Sequence, residues 1–293
     1  MNHQRYQQTI SRRTTVSGFG FWSGLDVNVE FRPAPAGHGV VFIRRDLPGL
    51  PIIPASIAHR ADGPRRTTLS KNGTAVDMVE HILAALHGLR IDNCQVWVDR
   101  AEMPGVDGSS RPFVDALQKI GIVRQSQLRP RLIVTSTVRV GDEETWIEAS
   151  PNADGVCRLQ YDLAYPEEPA IGTQSFSAEI GTTNQHFVDE IAPARTFVTQ
   201  AEADSLRRQG LGRRVNYKDI LVFEENGPVG NKTRYENECA RHKLLDMIGD
   251  FALAGCDLVG NFRASRSGHR LNAELVRQLI NRFSVKTSLR KSA

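Results

Sequence analysis

The chain has 293 residues, 40% of them hydrophobic and 24% charged, with 37 Lys and Arg against 33 Asp and Glu for a net charge of +4. That is the make-up of a globular protein long enough for one large domain or two ordinary ones, and it excludes a disordered or low-complexity chain. No run reaches the roughly 18 apolar residues of a membrane span, and Met1–Gln8 lacks the apolar stretch of a secretory leader, so a cytoplasmic location is expected.

The elements follow in chain order. Val27, Val29 and Phe31 alternate with Asn28 and Glu30, which predicts a strand, and Val40–Ile43 predicts another. Pro- and Gly-rich joints, 33–39 and 48–54, punctuate them. Val79, Ile82, Leu83 and Leu86 recur at helical spacing, which predicts a helix over 74–89 with Thr74 as its cap and Asp77 three residues on. A strand over 93–98 and a short helix over 112–120 come next, and 126–130 reads as a polar joint. Strands are expected at 132–134, 145–149 and 158–165, and a loop-rich segment over 166–181. A short helix over 201–209, a strand at 221–223, a long helix over about 236–253, a strand at 258–262 and a last helix over 273–283 complete the chain. The order repeats: strands, a histidine-bearing helix, a strand, a helix. It predicts an α+β fold of two similar domains, each a sheet layered on two helices, divided as 1–127 and 128–293.

Three short stretches carry the chemistry. Arg241-His242-Lys243-Leu244-Leu245-Asp246 holds a His-x-x-x-Asp pair, and residues four apart share a helix face. With His242 at zero, Asp246 lies about 40° away and Gly249 about 20° the other way at ~100° per residue, so Gly249 would leave room beside the pair. Leu244, Leu245, Ile248, Phe251 and Ala252 occupy the opposite side. His81, beside Glu80 in Val79-Glu80-His81, would complete a two-His, one-carboxylate set. A catalytic zinc takes three such ligands and keeps an open position. Glu80, and His269 of Arg266-Ser267-Gly268-His269, are then left over to move protons. Each piece alone has a blander reading: a solvated i,i+4 pair and a helix-surface histidine. His87 lies off the ligand face and, with His3, His38, His59 and His186, reads as structural. Cys94, Cys157, Cys239 and Cys256 show no metal or redox spacing and read as ordinary thiols.

The mild positive charge, much of it in Arg207, Arg208, Arg213, Arg214 and the tail Lys286–Lys291, suits an anionic small molecule or transient contact with an acidic inner-membrane surface. Basic and aromatic residues do not interleave as a stacking platform, so no nucleic-acid partner is expected.

Several segments in order resemble the UDP-3-O-acyl-N-acetylglucosamine deacetylase family. They are 77–86 with 88–93, Val106-Asp107-Gly108-Ser109, Ala194-Arg195-Thr196-Phe197, 241–250, and Ser267-Gly268-His269 with Leu271-Asn272. The resemblance implies the two-domain fold with the active site between the domains, and a Zn2+ cofactor on His81, His242 and Asp246. It implies Glu80 as general base, His269 as cationic general acid and Thr196 as oxyanion support for water attack on an acetamide. It sets Lys243, Tyr165, Phe197, Arg266 and Gly268 at the substrate, a UDP-linked acylated amino sugar. It further implies an inserted unit near 201–230 along an acyl passage, where Leu206, Leu211, Ile220, Leu221 and Val222 could form the wall or simply pack locally. A monomer is expected, without a fused dehydratase domain.

The chain departs from the family pattern in places. Trp22 stands for a histidine in Gly20-Phe21-Trp22-Ser23-Gly24, Arg266 for a lysine, Ser265 for an aromatic, Thr68 for an occasional cysteine, and Val198-Thr199 follows Thr196-Phe197. Two other readings stay open: a deacetylase for another nucleotide-linked amino sugar, and a nucleotide-sugar binding protein with a structural metal.

Overall fold

The computed structural model describes residues 4–168, 170–181 and 184–286, so His3 and the end of the basic tail lie outside the described residues. The fold is α+β. In the first half a five-stranded sheet runs in the order Thr14–Phe19, Asp26–Pro33, Cys94–Val98, Val40–Arg44, Ile52–Pro54. Its alternation buries Val27, Val29 and Phe31 on one face, as period two requires. Helices α1 (Glu80–Gly88) and α2 (Arg111–Ile120) accompany it, and α1 and α2 pack on each other. In the second half, strand Asp257–Ser265 lies at the centre of a seven-stranded sheet. It pairs antiparallel with Trp146–Ser150 and parallel with both Cys157–Tyr165 and Arg131–Ile133. Helices α3 (Gln200–Arg208), α4 (Glu238–Phe251) and α5 (His269–Arg282) belong to this half, and α4 packs on α1, α5 and the sheet.

Four expectations change. The helix expected over 74–89 starts at Glu80, because Thr74–Asp77 is a strand paired with Thr68–Lys71. Met78 at φ 58° turns the chain between them, so Thr74 caps nothing and Asp77 instead accepts from the Thr68 hydroxyl at 2.6 Å. The joint expected at 126–130 is mostly strand: Ile122–Leu128 pairs with Tyr6–Ile10. The loop-rich segment contains strand Gly172–Ile180, which runs antiparallel to Cys157–Tyr165. Both strands were hidden by polar composition, since each has a face turned to solvent and little apolar alternation. Helix α5 begins at His269 rather than 273, with Gly268 extended ahead of it. The four cysteines are free thiols, as expected.

Gly249 does not leave room beside the ligand pair. A Cβ there would meet the Glu80 carbonyl oxygen at 2.2 Å and the Glu80 Cα at 3.1 Å. The backbone of α1 fills that space, and α4 is buried on nearly every side as a result. Backbone cannot swing aside as a side-chain tip can. Gly249→Ala is therefore expected to cost on the order of 3 kcal/mol, read as a lower urea midpoint. An unchanged midpoint would show that the two helices have slack.

Candidate active site

Helix α1 presents Glu80 and His81 in its first turn, and α4 presents His242 and Asp246 one turn apart. Because the two helices touch at Gly249, these side chains share one space. His81 Nε2 lies 3.6 Å and His242 Nε2 3.5 Å from the same Asp246 oxygen, Oδ1. One ligand atom from each residue falls within 4.8 Å of the others. Those separations are long for hydrogen bonds and near the ~3.3 Å between neighbouring ligands on a tetrahedral ion with bonds of about 2.0–2.1 Å. His81, His242 and Asp246 are only 6%, 2% and 4% exposed, which overturns both the surface-histidine and the solvated-pair readings.

The protonation states also suit a cation. His242 Nδ1 donates to the Ala194 carbonyl at 3.0 Å, which fixes the tautomer and leaves Nε2 bare toward Asp246. Burial pushes His242 down to about 4, and Lys243 and His81 add to this against the pull of Asp246, so the ring is neutral. Burial disfavours the Asp246 carboxylate, yet the Lys243 ammonium outweighs it and holds it well below the usual range. Lys243 Nζ occupies the other Asp246 oxygen at 2.7 Å. A neutral His242 imidazole and an ionised Asp246 carboxylate are forms that bind a metal.

Beside this set stand a further carboxylate and a further imidazole. Glu80 is buried, and burial raises its pKa against the opposing charge of His269. Its Oε2 accepts from the Thr67 backbone N–H at 3.0 Å. His269 Nδ1 donates to Asp250 Oδ2 at 2.9 Å, while its Nε2 lies 4.0 Å from Asp246 Oδ2. Burial opposes the His269 cation, but Asp250 overrides it and raises the pKa to about 9. Asp250 is itself saturated by Asn272 Nδ2 at 2.8 Å and the Thr67 hydroxyl at 2.5 Å.

Thr196 and Phe197 enter from the loop that leads into the short strand Phe197–Thr199, ahead of α3. The buried Arg195 anchors that loop, since its Nε and Nη2 donate to Glu238 at 2.8 and 3.1 Å and its backbone N–H donates to the same carboxylate at 3.0 Å. Thr196 N–H donates to Gly108 O at 2.8 Å, tying the loop to the first half. The Phe197 ring meets Tyr165 edge-on, centroids 5.8 Å apart.

The site opens onto one cavity of about 610 Å³. Glu80, His81, Tyr165, Thr196, Phe197, His242, Lys243, Asp246, Gly268 and His269 line it. Arg266 does not. It is exposed and pairs with Glu144 at 3.3 Å, and Arg270 lines the cavity instead. On the far side Leu206, Leu211, Ile220 and Val222 form the wall, together with Ala203 and Val215. Leu221 faces away into the core, as alternation along its strand requires. Trp22 also lines the cavity, with the Arg66 guanidinium 4.9 Å above its ring, and Glu102 fixes its loop by accepting from Trp22 and Ser23 N–H.

Sequence reasoning missed Thr67, Asp250, Arg195, Glu238 and Glu102. Asp250 had a signal: it follows Asp246 by one further helical turn, on the same face. The Arg195–Glu238 pair had none, because 43 positions separate its members.

An α+β frame, a His-His-Asp set that could hold a metal, and a further buried carboxylate and imidazole on the same cavity point to a class, a metal-site hydrolase. A family model described as UDP-3-O-acyl N-acetylglycosamine deacetylase matches residues 7–281. Proteins named UDP-3-O-acyl-N-acetylglucosamine deacetylase are similar along the whole length. The one from Geotalea uraniireducens is 36% identical over 94% of this chain and 89% of its own. That from Solibacter usitatus is 36% identical over 96% and 93%, and that from Myxococcus xanthus 35% identical over 94% and 86%. The chain belongs to the UDP-3-O-acyl N-acetylglycosamine deacetylase family.

Two outcomes follow for the supporting residues. Glu238→Ala strands the buried Arg195 charge and should cost about 3–5 kcal/mol in urea unfolding; a loss under 1 kcal/mol would contradict the anchoring role. Asp250→Asn should lower turnover roughly 10–100-fold while bound metal stays constant; full turnover would show that His269 needs no carboxylate behind it.

Proposed function

We propose that this chain removes acetate from UDP-3-O-acyl-N-acetylglucosamine to leave UDP-3-O-acyl-glucosamine, the committed step of lipid A biosynthesis. The observation that carries the reading is the convergence of His81, His242 and Asp246 beside Glu80 and His269 on one cavity with an apolar wall. Those three residues would hold a zinc ion, which when bound supplies Lewis acidity toward the amide carbonyl and makes a water acidic enough to ionise near neutral pH.

The chain's own groups do the rest. Glu80 takes the proton of the attacking water. The Thr67 N–H fixes its orientation, and its raised pKa suits a proton acceptor working near neutrality. The Thr196 hydroxyl donates to the oxyanion that forms on the acetamide carbonyl. His269, kept cationic by Asp250, stabilises the same charge and then gives its proton to the departing nitrogen. Asp246 is bonded to Lys243 and ionised, so it does not compete for that proton.

Tyr165, Phe197, Lys243 and Gly268 position the sugar and the near part of the nucleotide. A Cβ at Gly268 would meet nothing within 4 Å, which leaves this wall open to a ligand. Arg266, outside the cavity, would meet the diphosphate only at the rim. The acyl chain would lie along Leu206, Leu211, Val215 and Ile220. The pairing of Tyr6–Ile10 with Ile122–Leu128 closes the first half on itself and supports a domain division close to the proposed 127/128, at the end of that strand, with the unit near 201–230 inserted in the second domain. We place the protein in the cytoplasm as a monomer. Arg207, Arg208 and Arg213 are exposed beside the apolar wall and would touch an acidic inner-membrane surface.

Acetate release from the UDP-linked substrate tests the reading. The zinc-loaded protein should be active, a chelator should abolish release, and N-acetylglucosamine alone should be a poor substrate. Glu80→Gln should keep its zinc and lose about 10²–10⁴-fold in turnover. Full turnover in that variant, or indifference to chelator, would sink the mechanism.

A further inference from the structure

A second cavity, of about 60 Å³, lies at the other end of α1 and shares no lining residue with the first. Arg5, His87, Arg90, Arg131 and Asp257 line it, so both halves of the fold contribute walls. Its charge is unbalanced. Arg5 spends its guanidinium on Asp92 and Asp257 at 2.7–2.9 Å, and Arg129 leans on the same two carboxylates at 3.0 and 3.5 Å. Both carboxylates are thereby committed. Among the described residues, Arg131 donates from its side chain to the Gly155 carbonyl alone, at 2.8 Å. Arg90 has no acidic partner among the described residues, and its Nε is buried without a hydrogen bond. Glu179, whose charge also reaches the cavity wall at Cys157, pairs with Arg158. Four guanidinium groups therefore face two carboxylates.

His87 points the same way. Its ring makes no hydrogen bond with the described residues, and burial, helped by Arg129 and Arg5 against Asp257 and Asp92, pushes it down to about 4. A neutral imidazole and an unanswered guanidinium thus share a small cavity with surplus positive potential. Arg90 also sits at φ 61°, just beyond the end of α1, where glycine is the favoured residue. The fold keeps a long cation at a position where a residue without a side chain would be more comfortable.

We propose that this seam cavity binds a small oxyanion, a single phosphate group, gripped by Arg90 and His87 with Arg5 and Arg131 lending charge. The size admits one phosphate and not the nucleoside attached to it, which favours free inorganic phosphate over the phosphate of a larger molecule. Bound there, the anion would answer the spare charge and bridge the two halves.

The test follows the His87 ring by NMR in the zinc-loaded full chain, at low ionic strength, as inorganic phosphate is added. The ring signal should move saturably and its pKa should rise. Uridine monophosphate at the same concentrations should leave it unmoved. Arg90→Gly removes the guanidinium at a backbone conformation that glycine prefers, so the variant should fold. It should bind phosphate about tenfold more weakly or worse, as loss of a charge-assisted hydrogen bond implies, while acetate release is unchanged. Arg90→Lys should recover part of the affinity. A His87 signal indifferent to phosphate, or equal binding by Arg90→Gly, would overturn the proposal. A response to uridine monophosphate matching that to phosphate would overturn the assignment to the free ion.

Discussion

Helices α1 and α4 meet where Gly249 lies against the backbone of Glu80, and that contact brings Glu80 and His81 beside His242 and Asp246. A side chain at 249 would hold the helices apart by at least its own radius. His81 would then stand away from His242 and Asp246, and Glu80 from His269. The site is thus a property of a helix–helix approach rather than of any one motif. It also explains why the ligands are buried: each helix covers the polar face of the other, and what is trapped between them has no water to fall back on.

Burial makes the electrostatics exacting. Three imidazoles and three carboxylates lie close together: His81, His242 and His269 with Glu80, Asp246 and Asp250. Each is sorted by its neighbours. His242 is kept neutral by burial and by a backbone carbonyl on its outer nitrogen. Asp246 is kept ionised by Lys243. Asp250 stands behind His269 and keeps it cationic, and Glu80 is raised by the apolar surroundings of α1. Groups whose environments push their proton affinities apart can serve as acid and base in one step. The Arg195–Glu238 pair does similar work at a distance, holding the loop whose Ala194 carbonyl fixes the His242 tautomer and whose next residue is Thr196.

Much of this was legible in the sequence. The His242–Asp246 spacing, the Glu80–His81 pair and the His269 stretch announced the site, because helical periodicity converts sequence offset into direction. The α+β order was legible for the same reason. What escaped was information that is not local. Thr74–Asp77 reads as the start of a helix until its pairing with Thr68–Lys71 and the positive φ of Met78 are seen. Gly172–Ile180 and Ile122–Leu128 carry too few apolar residues to declare themselves as strands. The meaning of Gly249 was inverted, since a residue without a side chain marks an open space or a close neighbour, and only the fold tells which. Leu221 was left open between cavity wall and local packing, and strand alternation turns it into the core.

The central claim is that His81, His242 and Asp246 hold one divalent ion that keeps an open coordination position. Zinc-edge X-ray absorption on the purified, zinc-loaded chain tests it most directly. The account expects two imidazole nitrogens and one carboxylate oxygen at about 2.0–2.2 Å, with one further exchangeable oxygen. Sulfur in the first coordination sphere, or a spectrum unaltered by His242→Ala, would place the ion elsewhere and contradict it.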